Sequence, residues 1–203
     1  MLPRGPGIAS SDLAARLGDD PLCRLRRVSS GNPSAVRVRH VRAGEQDLLR
    51  RLRLAALATN PDAFGSTYAR DASRPAGWWE RWAAESEDGL AQRTFVLVAD
   101  DERWVGLALA RLHDNKLGSA ELNAMWVAPD VRGNRGAAAL CDACAVWAAE
   151  RGCHELTLTV VVDNHAARRA YEAAGFTICG DTTYSQKGRI FDALLMVRSL
   201  SHT

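Results

Sequence analysis

The stretch from Met125 to Leu140 constrains the fold more than any other part of the chain. It reads Met-Trp-Val-Ala-Pro-Asp-Val-Arg-Gly-Asn-Arg-Gly-Ala-Ala-Ala-Leu, an apolar strand running into Pro129, then a basic turn, then an alanine-rich helix. The first N–H groups of a helix have no intrahelical partner, and the positive end of the helix dipole lies beside them. Small residues let a ligand approach closely, and Arg132 and Arg135 add formal charge. Residues 132–137 therefore read as a seat for a phosphate or pyrophosphate.

The kind of phosphate follows from what the turn lacks. A nucleotide P-loop needs Gly-Lys-Ser/Thr at the helix start, and neither Lys116 nor Lys187 is preceded by glycine. The dinucleotide fingerprint needs three glycines in register, and Gly133 and Gly136 supply two. The run Arg132-Gly133-Asn134-Arg135-Gly136-Ala137 resembles the pyrophosphate motif of the GNAT superfamily of acyl-CoA-dependent N-acyltransferases, Arg/Gln-x-x-Gly-x-Gly/Ala. Arg132 and Ala137 match its first and sixth positions, and Arg135 stands where the family has glycine. Gly136 beside it leaves the turn room to adapt. Downstream, the β-branched run Thr157–Val162 leads to Asp163-Asn164, then Ala166 to Ala174 with Tyr171, then Gly175-Phe176. This is similar to the family's strand–Asn–helix–Tyr–x–x–x–Gly-Phe block, in the same order and at the same separation.

Elsewhere the elements follow from periodicity. Residues 1–34 carry scattered proline and glycine with no sustained period and read as a mobile leader before a domain of residues 35–203. Val36 to Val41 alternates as a first strand. Leu48, Leu49, Leu52, Leu54, Ala55 and Ala58 recur at helical spacing up to Asn60-Pro61, and a second helix holds Trp78, Trp79 and Trp82. Strands at 94–99 and 104–112 make a hairpin. A strand at 120–127, a helix at 136–151, a strand at 157–162, a helix carrying Tyr171 and strands at 176–184 and 189–197 complete the order β-α-α-β-β-β-α-β-α-β-β. Interspersed elements of this kind predict a three-layer α/β/α sandwich. The GNAT resemblance implies the same, with a mixed, mostly antiparallel sheet of about seven strands.

Composition excludes several classes. A formal net charge of +2 with dispersed basic residues is not the footprint of a nucleic-acid binder. No apolar run is long enough to span a membrane. Five cysteines, an odd number, argue against a disulfide framework and fit a cytoplasmic protein. Cys141 and Cys144 form a C-x-x-C inside a predicted helix with no second pair at zinc spacing, so they read as buried helix cysteines and no metal site is expected.

The resemblance implies acetyl-CoA as co-substrate and an amine, of a small molecule or peptide, as acceptor, with a homodimer allowed. Acyl transfer to an amine needs an anchored cofactor, a deprotonated amine and a protonated leaving thiolate. Arg132, Gly133, Asn134, Arg135, Gly136 and Ala137 would hold the pyrophosphate. In this family the backbone edge at Trp126 and Val127 pairs with the pantetheine arm as an added strand would. Glu121 is the candidate general base, and a strand-edge glutamate facing solvent or an arginine is the alternative. Tyr171 stands where the family's general acid faces the CoA sulfur; Asn164 is placed to cap its helix and to contact cofactor. Phe64 and Ser66, in the loop after the first helix, are candidates for acceptor contact, against a plain loop with an aromatic plug. With Arg135 in the glycine position, a non-catalytic acyl-CoA-binding module remains open, as does a donor other than acetyl-CoA.

Overall fold

The computed structural model describes residues 36–186 and 188–201. The expected leader, residues 1–34, lies outside them. The chain runs β1 (Arg37–His40), α1 (Gln46–Thr59), α2 (Tyr68–Ala72), α3 (Ala76–Asp88), β2 (Gln92–Val98), β3 (Trp104–Leu112) and β4 (Ser119–Val127). A 3-10 turn (Pro129–Val131) leads to α4 (Gly136–Glu150), β5 (Glu155–Val161), α5 (His165–Ala173), β6 (Thr177–Gln186) and β7 (Arg189–Ser199). The strands form one seven-stranded sheet in the order β1-β2-β3-β4-β5-β7-β6. Only β4 and β5 pair in parallel.

Helices cover the sheet on both sides, as the expected sandwich requires. Val105, Ala108, Ala110, Leu122, Leu156 and Leu158 pack with Leu140, Cys144 and Trp147 of α4. On the other face Val96, Val98, Leu107 and Leu109 pack with Leu49, Leu52, Ala56 and Leu57 of α1 and Trp79 and Trp82 of α3. The alternation along β3 thus buries Leu107 and Leu109 against one layer and Ala108 and Ala110 against the other. The indole of Trp147 donates to the Gly89 carbonyl (3.1 Å), and Gly89 ends α3 with a φ of 62°. The short helix α2 was not expected: five residues are too few to show a period. Thr67 caps it, Oγ1 accepting from the Arg70 N–H at 3.2 Å. Pro75, which disfavours helical geometry in the residue before it, separates it from α3.

The feature that positions the site is a divergence of β4 from β5. They pair only at Ser119–Glu155, Ala120–Leu156 and Glu121–Thr157. Beyond that, β4 carries a bulge: Leu109 faces Asn123 and Leu107 faces Trp126, so Ala124 and Met125 share the place opposite Ala108. Ala124 absorbs the extra residue with a φ of 54°. A bulge bends its strand and raises the local twist, which turns the end of β4 away from β5. Among the described residues no helix is long and apolar enough to cross a membrane.

Candidate active site

The helix α4 starts at the open end of that divergence. Its first turn carries no acidic residue, and no side chain caps it. The amides at its start are therefore without a capping side chain. Gly133 holds a φ of 89° with nothing near its missing side chain. Arg135, at the N-cap, adopts a left-handed conformation (φ 58°, ψ 7°). The residue in the family's glycine position thus keeps a glycine's conformation. Gly136 serves a different purpose from the expected one. A Cβ there would meet Leu97 Cδ2 at 2.6 Å, so its absence lets α4 sit against β2.

A non-glycine residue in that region carries roughly 1–2 kcal/mol of strain. Arg135→Gly is expected to raise the free energy of unfolding by about 1 kcal/mol, read from the urea midpoint. A lower midpoint would mean that the exposed guanidinium makes contacts worth more than the strain.

Arg132 also bonds within the protein. Its Nε donates to the Val127 carbonyl (3.0 Å) and its Nη2 to Asn60 Oδ1 (3.0 Å). The Trp126 indole donates to the same Asn60 oxygen at 3.0 Å. Arg132 therefore braces the turn against β4 and the end of α1, and the Val127 carbonyl is already engaged. The side chains of Trp126 and Val127 are buried on opposite faces of the sheet.

Glu121 lies opposite Arg111 on β3 and Thr157 on β5. Its neighbours Ala120 and Leu122 pack toward α4, so Glu121 and Asn123 face the α1 side by strand alternation. Asn123 Nδ2 donates to Glu121 Oε2 at 3.0 Å. Arg111 does not pair with Glu121; its Nε and Nη2 donate to Gln92 Oε1 at 3.0 and 2.8 Å. The half-buried carboxylate thus has no cation in contact among the described residues.

On the opposite face, Asn164 caps α5, its Oδ1 accepting from the Ala167 N–H at 3.2 Å. Tyr171, in the last turn of α5, packs its ring edge-on to Phe176 with centroids 5.9 Å apart. Burial, and then the neighbouring Cys141 and Cys144, push its phenol well above the usual tyrosine range. Cys141 and Cys144 are free and buried, as read from sequence. Burial pushes the Cys141 thiol up to about 12 and Cys144 well above its ordinary value, so both stay protonated. Arg168 pairs with Glu172 along α5 at 3.5 Å.

The acceptor-side candidates are engaged within the fold. Phe64 is 4% exposed and belongs to the α1–α3 core, its ring lying 4.7 Å from the Arg53 guanidinium carbon. Ser66 donates to Asp71 Oδ1 at 2.5 Å, while Arg53 Nε donates to Asp71 Oδ2 at 3.0 Å. Both loop residues therefore shape a buried ion pair; neither offers a free group to an acceptor. Asn60, Arg53, Asp71 and Tyr184 were not singled out from sequence. Arg53 had a signal: its spacing of four from Leu49 and Leu57 puts it in the buried stripe of α1. Among the described residues no cluster of His, Cys, Asp and Glu could hold a metal ion.

Comparison with known proteins bears on this arrangement. The family model for the acetyltransferase (GNAT) family matches residues 49–176, which spans β4, the turn, α4, β5 and α5. No curated protein matches the chain in sequence. Among solved structures, a GNAT-family acetyltransferase from Streptococcus pneumoniae superposes with a TM-score of 0.69 at 19% identity, covering 82% of this chain and all of that one (100%). A putative acetyltransferase from Salmonella typhimurium, solved with its cofactor acetyl-CoA, gives 0.65 at 19% identity over 84% and 96% of the two chains. The spermidine N-acetyltransferase from Vibrio cholerae, in complex with CoA and spermine, gives 0.64 at 20% identity over 82% and 96%. At these identities the likeness is one of fold.

Proposed function

The chain belongs to the acetyltransferase (GNAT) family, and on that premise we propose that it moves an acetyl group from acetyl-CoA to a primary amine of a small molecule or peptide by direct attack. The observation that carries this reading is the divergence of β4 from β5 beside the uncapped start of α4. It offers unpaired strand edge and unpaired helix amides side by side, which together suit an arm ending in a pyrophosphate. The backbone from Gly133 to Ala137 would hold the pyrophosphate, with Arg132 and Asn60 fixing the turn, and Asn164 flanks the cleft at the start of α5. Family neighbours solved with CoA or acetyl-CoA support that choice of co-substrate. The free thiols of Cys141, Cys144 and Cys153 suit a reducing, cytoplasmic setting.

Bound acetyl-CoA would supply an acyl carbon activated as a thioester. An alkylamine with a pKa of about 10 is mostly protonated at neutral pH. Glu121 Oε1 or Oε2 takes the ammonium proton, and Asn123 orients the carboxylate. The freed nitrogen forms the new N–C bond as the C–S bond breaks. Tyr171 Oη gives its proton to the departing sulfur from the opposite face of the sheet, and the second proton of the attacking nitrogen, lost as the amide forms, restores the phenol. The buried apolar wall around Leu122, Leu158 and Val160 excludes water from that side.

Incubating the full chain with acetyl-CoA and a broad amine panel, and following free thiol release, tests the reading. Turnover on at least one amine is expected, and Glu121→Gln should lower kcat/KM for that amine by about 100-fold at neutral pH, the loss shrinking as pH approaches the amine's pKa of about 10. Tight CoA binding without turnover across the panel would sink the catalytic reading. An unaltered rate in Glu121→Gln would remove the base alone.

A further inference from the structure

Arg53 is a cation held where cations are rarely held. It is 7% exposed and lies within the apolar stripe of α1, on the face of Phe64. Its one anionic partner among the described residues, Asp71, is 3% exposed and already doubly engaged, by Arg53 Nε on one oxygen and by Ser66 on the other. Arg53 Nη1 is buried and donates to no described residue. A buried donor on a charged group without an acceptor is rare and unfavourable, so its persistence calls for an explanation.

A second donor stands beside it from the other half of the sheet. Tyr184 on β6 lies opposite Phe191 on β7, beyond the last β5–β7 pair at Val161–Ala193. Its hydroxyl reaches across to the loop after α1: a Cβ on Gly65 would meet that oxygen at 2.8 Å. The Tyr184 hydroxyl makes no hydrogen bond to a described residue, yet it is close enough to Arg53 for each to influence the other's titration. The loop that carries this corner begins at Asn60, whose side chain grips Trp126 at the end of β4. Tyr184 sits past the end of β5. The corner thus spans the ends of the two diverging strands, on the face that Glu121 shares and Tyr171 does not.

We infer that Arg53 and Tyr184 form a carboxylate-binding subsite, and that the acceptor is a primary amine carrying a carboxylate. The inference rests on the acetyl-transfer reading above and narrows its substrate class. A guanidinium Nη and a phenol O–H at one corner of the fold suit one carboxylate oxygen each, and charge-assisted bonds of this kind are the strong ones. Asp71 already neutralises one unit of charge, so the corner favours a monoanion over a phosphate dianion. Asp71 and Ser66 are positioning residues: they hold the guanidinium by its Nε edge and leave Nη1 turned to the ligand.

The test uses the full chain, acetyl-CoA and three matched acceptor series: amino acids, their C-terminal amides and the corresponding decarboxylated amines. The acids are expected to exceed both other series by about 10–100-fold in kcat/KM, most of it in KM, as bonds to a charged group would give. Tyr184→Phe should reduce that preference roughly tenfold, and Arg53→Lys, which keeps the charge and loses the second nitrogen, should reduce it at least as far. Arg53→Met strands Asp71 and is read only if the thermal midpoint shows a folded protein. Equal turnover of acids and amides, or a preference that survives both Tyr184→Phe and Arg53→Lys, overturns the inference while acetyl transfer stands. CoA binding with no turnover in any series overturns both.

Discussion

Tyr171→Phe is expected to lower kcat by about 100-fold while the affinity for CoA and the thermal midpoint stay near those of the unaltered protein. The substitution removes one oxygen and keeps the ring that packs edge-on to Phe176 and against α4. No described residue bonds to that oxygen, so its loss leaves no orphaned partner. Burial raises the phenol above its ordinary value because the phenolate is the form that desolvation penalises. The sign has two consequences. The hydroxyl stays protonated through the whole range below about pH 10, so it contributes no alkaline limb to the kcat profile there. A weaker acid also has less drive to protonate a thiolate, which places its contribution at the low end of the 10²–10⁴ range for general acids. Single-turnover measurement of thiol release would isolate the step. An undiminished rate would return Tyr171 to a packing role.

How far the site could be read from sequence depended on whether its chemistry was local. The turn and α4 were legible because a strand, Pro129, two glycines and an alanine run announce themselves over a short window. Asn164 as a helix cap and the buried Cys141 and Cys144 were legible for the same reason. The divergence of β4 from β5 was not, since Ala124 gives no sign in sequence that it takes a left-handed φ. Arg132 shows the limit of reading charge from composition: its partners are Val127, five residues away, and Asn60, which only the fold brings near. Phe64 and Ser66 read as facing outward from their loop, whereas Asp71 and Arg53 draw the hydroxyl and ring inward. The corner at Gly65 joins α1 to β6 across most of the chain's length, and nothing in either segment alone points to the other.

Asp71→Ala should cost about 3–5 kcal/mol of unfolding free energy, the largest stability loss expected of a single polar substitution in this chain. The carboxylate is almost wholly enclosed and answers both Arg53 and Ser66. Removing it leaves a guanidinium in an apolar layer with neither water nor counter-charge, and leaves the Ser66 hydroxyl without its acceptor. Desolvation already outweighs every other influence on Arg53, lowering its pKa even with Asp71 in place. The charge is therefore held by its partner rather than by solvent. That account makes a second measurement decisive. In Arg53→Met/Asp71→Ala both charges are gone, so the double variant should be more stable than Asp71→Ala alone, with a coupling of at least about 1 kcal/mol in a urea denaturation cycle. The same double variant should lose the preference for carboxylate-bearing acceptors, because the surviving phenol of Tyr184 cannot supply charge. If the two substitutions simply add, solvent reaches Arg53 after all, and the buried-pair account of this corner fails.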